Sequence, residues 1–184
     1  MSRLIILDRD GVINEDSDTF VKSADECIAI PGSIEAIARL SRAGYQIAVA
    51  TNQSGIARRL FDEYALAGIH HTINDWVEEA GGIISGFFYC PHGPDDGCLC
   101  RKPLPGLIHR IATELEVSVI DAPFVGDSLR DLQAAKSAGC QPVLVLTGNG
   151  TATADAGLPD ELCDTPVYAD LASFVNTLLD SDSQ

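Results

Sequence analysis

Two aspartates near the start of the chain have the types and spacing needed for phosphate chemistry. Asp8 and Asp10 follow the apolar run 4–7, and Gly11 then allows a sharp turn. In this arrangement the first carboxylate can attack a phosphorus atom, while the second handles the proton of the leaving oxygen. Aspartate and glycine are also common turn residues, so this stretch alone leaves an ordinary strand-end turn as the alternative.

Other polar residues follow apolar segments in the same way. Thr51, Asn52 and Gln53 come directly after the apolar run 45–50, and Asp127 ends the segment 123–126. Open α/β sheets place their ligands at the carboxyl ends of their strands. We therefore expect these side chains to meet Asp8 at one edge of a sheet, which favours an active site over a chance turn.

The elements that position these residues alternate between strand and helix. This alternation predicts a three-layer α/β/α sandwich with a Rossmann-like, mostly parallel sheet and right-handed crossovers. The predicted strands are 4–7, 45–50, 86–89, 123–126 and 142–146, with a possible edge strand at 167–169, and the predicted helices are 33–43, 61–80, 105–115, 130–138 and one that ends at 179. Residues 147–160 are expected to form a loop with at most one helical turn.

The length of the chain is suited to one domain. At 184 residues it can build one full core, so we expect 1–184 to be a single domain, with 90–102 as a metal-binding loop and 180–184 as a frayed tail. The two histidines at 70 and 71 point in different directions on the predicted helix 61–80, and they are interpreted as packing or surface residues.

The charge balance restricts the partners. Twelve basic and 27 acidic residues give a net charge of −15, which argues against a nucleic-acid partner. The absence of 18 consecutive apolar residues argues against a membrane segment, and no signal peptide precedes the first strand, so a cytoplasmic protein is expected. An acidic protein that handles a phosphorylated small molecule needs a divalent cation, and Mg²⁺ is the natural candidate.

Three of the six cysteines lie within eleven residues of one another. Cys90 and His92, followed by Cys98 and Cys100, form a four-ligand set of the type that binds Zn²⁺ tetrahedrally. Because four protein ligands leave no open position for water, this Zn²⁺ would be structural and would stiffen the loop. The alternative is a group of neighbouring cysteines without a metal. The other cysteines are predicted to lie in the core: Cys27, Cys140 and Cys163.

Taken in order, these motifs resemble the haloacid dehalogenase superfamily of phosphohydrolases. The resemblance rests on the pattern DxDGxxN at 8–14, a strand-end threonine at 51, Lys102 and the dipeptide 126–127, and it spans about 4–179. About twenty residues separate the first aspartate from the next helix, too few for the cap domain of larger relatives. A capless member with an open active site is therefore expected.

The resemblance implies a role for each motif residue. Asp8 would attack the phosphate to form an aspartyl-phosphate, and Asp10 would act as general acid and base with a pKa raised by neighbouring carboxylates. Thr51 and Lys102 would hold the phosphoryl group, although a surface lysine is the alternative at 102. The Mg²⁺ ligands would be the carboxylates of Asp8 and Asp127 with the backbone carbonyl of Asp10. The position of Asp131 suits either a helix N-terminus or an indirect contact with the metal.

The loop sequence narrows the resemblance to one branch of this superfamily. The pattern CPH…CxCRKP at 90–103 is similar to phosphatases of heptose bisphosphate and of histidinol phosphate. The five residues between His92 and Cys98 fit the histidinol branch, and Arg59 stands where the heptose branch usually has glycine. The sequences TNQSGIAR, CRKPLPG and VGDS favour the heptose branch, whose members remove the 7-phosphate of D-glycero-D-manno-heptose 1,7-bisphosphate in the synthesis of nucleotide-activated heptose for lipopolysaccharide.

The expected substrate is a small sugar phosphate, acted on by a monomeric enzyme. Arg58 and Arg101 are candidates to bind the second phosphate, although Arg58 and Arg59 can equally be solvated residues at the start of a helix. A histidinol phosphatase and a silent α/β scaffold are the rival hypotheses, and the complete set of motif residues argues against the scaffold. The predicted substrate-binding residues are Asp16, Thr51, Asn52, Gln53, Ser54, Arg58, Arg101 and Lys102.

Overall fold

Residues 3–182 are described by the computed structural model, in which six parallel strands form a sheet. The strands are β1 (Leu4–Leu7), β2 (Gln46–Asn52), β3 (Gly86–Cys90), β4 (Pro123–Gly126), β5 (Gln141–Val145) and β6 (Val167–Tyr168). They lie in the order β3-β2-β1-β4-β5-β6, with β1 paired to both β2 and β4. The first strand is therefore central, and the chain order reverses beside it, which is where such sheets bind ligands.

Helices cover both faces of this sheet. They are α1 (Ser33–Arg42), α2 (Glu63–Glu79), α3 (Gly106–Glu114), α4 (Leu129–Ser137), α5 (Gly150–Asp155) and α6 (Leu171–Asp182). Side chains of α1, α2 and α6 pack with Ile5 and Leu7 on one face, whereas α3 and α4 pack with Leu4 and Ile6 on the other. The alternation along β1 divides the core into two layers, and the predicted three-layer sandwich is confirmed.

The segment between β1 and α1 contains only a short 3₁₀ turn, Ala24–Glu26, so the expectation of a capless fold is also confirmed. In the part of the chain described here, no helix has the length and apolar character to cross a membrane.

Two predictions about the chain need correction, and a third stays untested. The segment 147–160 contains the six-residue helix α5 rather than a loop with a single turn. The frayed tail at 180–184 stays a prediction: residues 180–182 continue α6, where Asp182 accepts a hydrogen bond from Tyr45 Oη at 2.7 Å, and 183 and 184 lie outside the described residues. Cys27 and Cys140 are buried as predicted, but Cys163 is exposed.

Candidate active site

Three buried carboxylates meet at the carboxyl ends of β1 and β4. Asp8 follows β1, Asp127 follows β4, and Asp131 lies in the first turn of α4. One oxygen from each lies within 4.8 Å of the others. Burial raises the pKa of Asp127 to about 7, with repulsion from Asp131 as the next cause. Burial also raises the pKa of Asp8, and repulsion from Asp131 and Asp127 adds to this effect. Such a set of oxygen ligands with excess negative charge suits a hard divalent cation.

Lys102 supplies the positive charge inside this cluster. Its Nζ lies 2.8 Å from Asp8 Oδ1 and 2.7 Å from Asp131 Oδ1, and it donates to the Ala50 carbonyl at 2.7 Å. Burial alone would lower the pKa of Lys102, but Asp131 and Asp8 raise it above its ordinary value. With a side chain only 2% exposed, Lys102 is not the surface lysine of the alternative interpretation.

The environment of Asp131 explains its position. Its Oδ2 accepts hydrogen bonds from the backbone N–H groups of Asp127 and Ser128 and from the Ser128 hydroxyl, which forms a capping box at the start of α4. Its Oδ1 pairs with Lys102. Asp131 therefore caps the helix as one of the two interpretations predicted, and it also pairs with Lys102, while an indirect contact with a metal stays a prediction.

Asp10 occupies a different environment from Asp8. Its Oδ1 accepts from Arg9 Nη2 at 2.7 Å and from Asn14 Nδ2 at 2.9 Å, and its Oδ2 accepts from Gln53 Nε2 at 2.8 Å. Although burial raises the pKa of Asp10, the Arg9 charge and these hydrogen bonds outweigh burial and lower it. The prediction of a raised pKa is therefore wrong for the free site, because the groups nearest to Asp10 are donors rather than carboxylates.

The residues at the end of β2 connect Asp10 and Lys102 to the sheet. Gln53 Nε2 donates to Asp10 Oδ2 and also, at 2.9 Å, to Thr51 Oγ1. The side chains of Gln53 and Thr51 are both buried. Asn52 exchanges two hydrogen bonds with the backbone of Lys102, each 3.0 Å long. In the free structure the side chains of Gln53 and Asn52 thus hold other site residues in place.

A cleft of about 330 Å³ opens above this cluster. The predicted residues Asp16, Ser54, Arg58 and Arg101 all line it, together with the aspartates and Lys102. Arg59 does not line it, and its backbone has a positive φ of 59° in the turn before α2. All of the predicted phosphate-site and substrate-binding residues therefore border a single cleft.

Arginines give the mouth of this cleft a local positive charge. Arg58, Arg101 and Arg130 line it, and none of them forms an ion pair with an acidic side chain within residues 3–182. Burial and the neighbouring charges of Arg130 and Arg58 lower the pKa of Arg101, so these two guanidinium groups lie close enough to repel that of Arg101. In a chain with a net charge of −15, this local concentration of positive charge is suited to binding an anion.

The four predicted zinc ligands form a second cluster beside the cleft. Cys90 Sγ lies 3.5 Å from His92 Nδ1, 3.7 Å from Cys98 Sγ and 3.2 Å from Cys100 Sγ, and His92 Nδ1 lies 3.3 Å from Cys100 Sγ. Tetrahedral Zn²⁺ with its usual bond lengths would separate such ligands by about 3.5 to 3.8 Å. The cysteines are not disulfide-bonded, and the donor set fits a structural metal ion.

Four residues of the site were not singled out from the sequence. Arg9 is fully buried beside Asp10, with Nη1 3.5 Å from His70 Nε2, and Arg130 and Asn149 line the cleft. Asn14 belongs to the first motif, but its contact with Asp10 was not expected. The sequence offered a signal for Arg9, which lies between two motif aspartates, and for Asn14, which ends the same motif, but none for Arg130 or Asn149. The predicted packing role of His70 is confirmed by its stacking on Phe87 at 4.5 Å.

Comparison with known proteins gives consistent matches. A family model described as HAD-hydrolase-like matches residues 99–173. The chain is 56% identical to D-glycero-beta-D-manno-heptose-1,7-bisphosphate 7-phosphatase from Bordetella bronchiseptica over 178 residues, with 96% of this chain and 98% of that protein covered. The protein of the same name from Pseudomonas aeruginosa is 53% identical over 180 residues, with 97% and 99% covered.

A crystal structure from B. bronchiseptica is similar over nearly the whole chain. This structure, of D,D-heptose 1,7-bisphosphate phosphatase complexed with magnesium and phosphate, superposes with a TM-score of 0.92 at 55% identity and covers 98% of this chain and 99% of that one. The similarity extends over every strand that contributes to the site.

Proposed function

Because this chain belongs to the HAD-like hydrolases and, within them, to the heptose-1,7-bisphosphate 7-phosphatases, we propose that it hydrolyses the 7-phosphate of D-glycero-β-D-manno-heptose 1,7-bisphosphate. The observation that carries this proposal is the meeting of Asp8, Lys102 and Asp127 at one sheet edge, beside a cleft lined by three arginines. A bisphosphate requires both of these features: a phosphoryl-transfer centre and a second anion site within reach of it.

Mg²⁺ fits the carboxylate cluster, and the similar bacterial enzyme is complexed with it. Asp8, Asp127 and the backbone carbonyl of Asp10 would hold the ion. When bound, Mg²⁺ neutralises charge on the phosphate and allows a carboxylate to approach it. Asp131 is less suited to direct coordination, because its two oxygens are already engaged by Lys102 and by the N–H and O–H donors at the start of α4.

Asp8 is the nucleophile in this proposal. Its carboxylate attacks phosphorus, the bond from phosphorus to the 7-oxygen of the sugar breaks, and an aspartyl-phosphate remains. Lys102, which already contacts Asp8 Oδ1, and the Thr51 hydroxyl hold the phosphoryl oxygens during the transfer. Water then attacks the aspartyl-phosphate and releases inorganic phosphate, which regenerates Asp8.

Asp10 moves the protons. It is ionised in the free site, and the charge of an arriving phosphate raises its affinity for a proton. The protonated Asp10 then donates to the leaving 7-oxygen and, as a carboxylate again, accepts a proton from the attacking water. Arg9, Asn14 and Gln53 fix its two oxygens during both steps.

The arginine cluster accounts for the choice of a bisphosphate. Arg101 lies directly before Lys102 in the chain. Because Lys102 is held at the transferred phosphate, the Arg101 side chain can reach only groups close to that phosphate. We assign Arg101, with Arg58 and Arg130, to the 1-phosphate, and Asp16 and Ser54 to sugar hydroxyls. Zn²⁺ is the metal proposed for the Cys90–His92–Cys98–Cys100 cluster, which fixes the backbone beside Arg101.

Phosphorus NMR tests the proposal directly. Purified protein with Mg²⁺ is given the β-heptose 1,7-bisphosphate, and the 7-phosphate signal should disappear while the anomeric 1-phosphate signal remains. Histidinol phosphate, tested at the same concentration, should react far more slowly, and the Asp8→Asn variant serves as the inactive control. Release of the 1-phosphate, or a preference for histidinol phosphate, would refute the assignment. Action in nucleotide-activated heptose synthesis, a cytoplasmic location and a monomeric state stay predictions.

A further inference from the structure

The turn between β5 and α5, together with α5 itself, is hydrogen-bonded to both aspartate-bearing loops of the site. Thr147 Oγ1 donates to the Gly11 carbonyl at 2.6 Å, and Thr153 Oγ1 donates to the Asp127 carbonyl at 2.8 Å. Gly148, with a φ of 56°, packs so closely that a Cβ there would collide with the Asp127 carboxylate. The position of this turn therefore determines the position of the Asp127 side chain.

Asn149 of this turn contacts two carboxylates at once. Its backbone N–H donates to Asp127 Oδ2 at 2.8 Å, and its side-chain Nδ2 reaches the same oxygen at 3.3 Å. The same Nδ2 donates to Asp16 Oδ2 at 2.7 Å. One amide group thus bridges a carboxylate proposed to bind Mg²⁺ and a residue of the segment that follows β1, 133 positions away in the chain.

This bridge has an electrostatic consequence. Burial is the main cause of the raised pKa of Asp127, and repulsion from Asp131 and, to a smaller extent, from Asp16 adds to it, whereas the Asn149 backbone N–H lowers that pKa. A neutral donor between two like charges reduces their repulsion and sets their separation. An aspartate at 149 would keep nearly the same shape but would replace the donor with a third negative charge.

We propose that Asn149 is a positioning residue that couples the metal-binding carboxylate Asp127 to the substrate-contacting residue Asp16. It acts through these two residues and contacts no reacting atom itself. When Mg²⁺ draws Asp127 into a fixed orientation, Asn149 carries this order to the segment that lines the sugar side of the cleft. The inference rests on the proposed function for the role of Asp16, but the hydrogen-bonded bridge does not depend on any substrate.

Calorimetry of Mg²⁺ binding tests whether Asn149 acts on Asp127. The protein is first dialysed free of Mg²⁺ under conditions that retain Zn²⁺. Asn149→Ala should weaken Mg²⁺ binding about fivefold, since loss of a residue that orients a metal ligand commonly costs tenfold or more and this one is exposed to water. Asn74→Ala, which removes an amide that donates to Glu78 on α2, is the matched control and should bind Mg²⁺ normally. Wild-type affinity in Asn149→Ala would overturn the proposal.

A double-mutant cycle tests the coupling of Asn149 to Asp16. Asp16→Ala should also weaken Mg²⁺ binding, and by more than Asp18→Ala, which removes the same charge two residues away. The double variant Asp16→Ala with Asn149→Ala should bind no more weakly than the poorer single variant, because both remove one bridge. Two losses that multiply would overturn the coupling. If Asn149→Ala fails to fold, the comparison of Asp16→Ala with Asp18→Ala decides alone, and equal affinities would overturn it.

Kinetics at saturating Mg²⁺ separate positioning from general damage. Asn149→Ala should raise the KM for the heptose bisphosphate about tenfold, while kcat on a small aryl phosphate changes less than threefold, because the aryl substrate does not need Asp16. A uniform fall in kcat on both substrates would contradict a positioning role. Failure of the wild-type protein to hydrolyse the bisphosphate would instead refute the proposed function, and the calorimetric result would still stand.

Discussion

The carboxylate cluster and the cysteine–histidine cluster differ in what holds their ligands. Asp8 and Asp127 end strands of the central sheet, and Asp131 begins a helix, so the fold itself positions these oxygens. The four ligands of the other cluster lie within eleven residues, and between Cys90 and Cys100 the chain forms no helix or strand. The carboxylate cluster should therefore keep its geometry without a metal, whereas the loop that contains the cysteine–histidine cluster should need a bound metal to hold its conformation.

This difference predicts opposite consequences of mutation in the two regions. A change in the carboxylate cluster should remove activity and preserve the fold, because like charges already repel there. A change in the cysteine–histidine cluster should reduce both the activity and the stability of the fold, because the metal contributes folding free energy to a segment that has little other support.

The largest expected effect is that of Asp8→Asn. The amide cannot attack phosphorus and binds Mg²⁺ poorly, so kcat should fall by roughly 1,000-fold or more. Lys102 keeps Asp131 as its ionic partner, and the substitution relieves repulsion between Asp8 and Asp127. The melting temperature, measured by calorimetry without Mg²⁺, should therefore stay the same or rise. Activity within tenfold of the wild type would exclude a covalent mechanism.

The second effect is that of Cys98→Ser, which should lower stability and activity together. Loss of one thiolate ligand weakens the metal site, and a loss of a few kcal/mol would lower the melting temperature by about 10 °C for a chain of this size. Metal analysis should find about one Zn²⁺ per wild-type chain and less in the variant. Cys163→Ser, which changes an exposed cysteine outside the cluster, is the control. An unchanged melting temperature in Cys98→Ser would contradict a structural metal.

The third effect is narrower, because Arg101 lies where the two regions meet. Arg101→Ala should raise the KM for the heptose bisphosphate about tenfold through loss of a phosphate contact, with little effect on an aryl phosphate. Steady-state kinetics on both substrates measure the ratio. Arg110→Ala removes an exposed arginine of α3 that pairs with Glu114, and it should change neither value. Equal impairment on both substrates would assign Arg101 to general loop structure.

The smallest effect concerns the pH dependence of stabilisation by Mg²⁺. In the metal-free protein Asp127 has a pKa near 7, above its unfolded value, so its ionisation costs stability as the pH rises from about 4 to 7. Mg²⁺ binds the ionised form and must displace a proton at low pH. The rise in melting temperature on adding Mg²⁺ should thus be a few degrees larger at pH 8 than at pH 5.5. Equal rises at both values would contradict a proton–metal competition at Asp127.

The fold could be predicted well from the sequence because each buried strand corresponds to a short, continuous apolar run. The apolar run 4–7 and the segment 123–126 match β1 and β4 at both ends, since a strand buried on both faces is apolar throughout. The motif residues 8, 51, 102 and 127 could be placed together for the same reason, because each lies at the carboxyl end of a strand or in a loop that returns to the same edge.

The remainder of the site depends on contacts distant in sequence. Asn149 reaches Asp16 across 133 positions, and Arg130 was indistinguishable in the sequence from any helix-start arginine. The pKa of Asp10 was predicted in the wrong direction because the Arg9 side chain folds back onto its neighbour, which residue spacing does not reveal. Electrostatic balance in a buried site is a sum over long-range neighbours, and these are known only from the structure.

The paired hydrogen bonds between Asn52 and the Lys102 backbone have an evolutionary consequence. They attach the end of the loop to the sheet at a point independent of the residues between His92 and Cys98. Insertions or deletions in 93–97 should therefore leave Lys102 in register, since proposed metal ligands flank that segment on both sides and the two hydrogen bonds from Asn52 fix Lys102 beyond them. Descendants of such an enzyme can sample new loop lengths, and with them new substrates, while the phosphoryl-transfer centre stays intact.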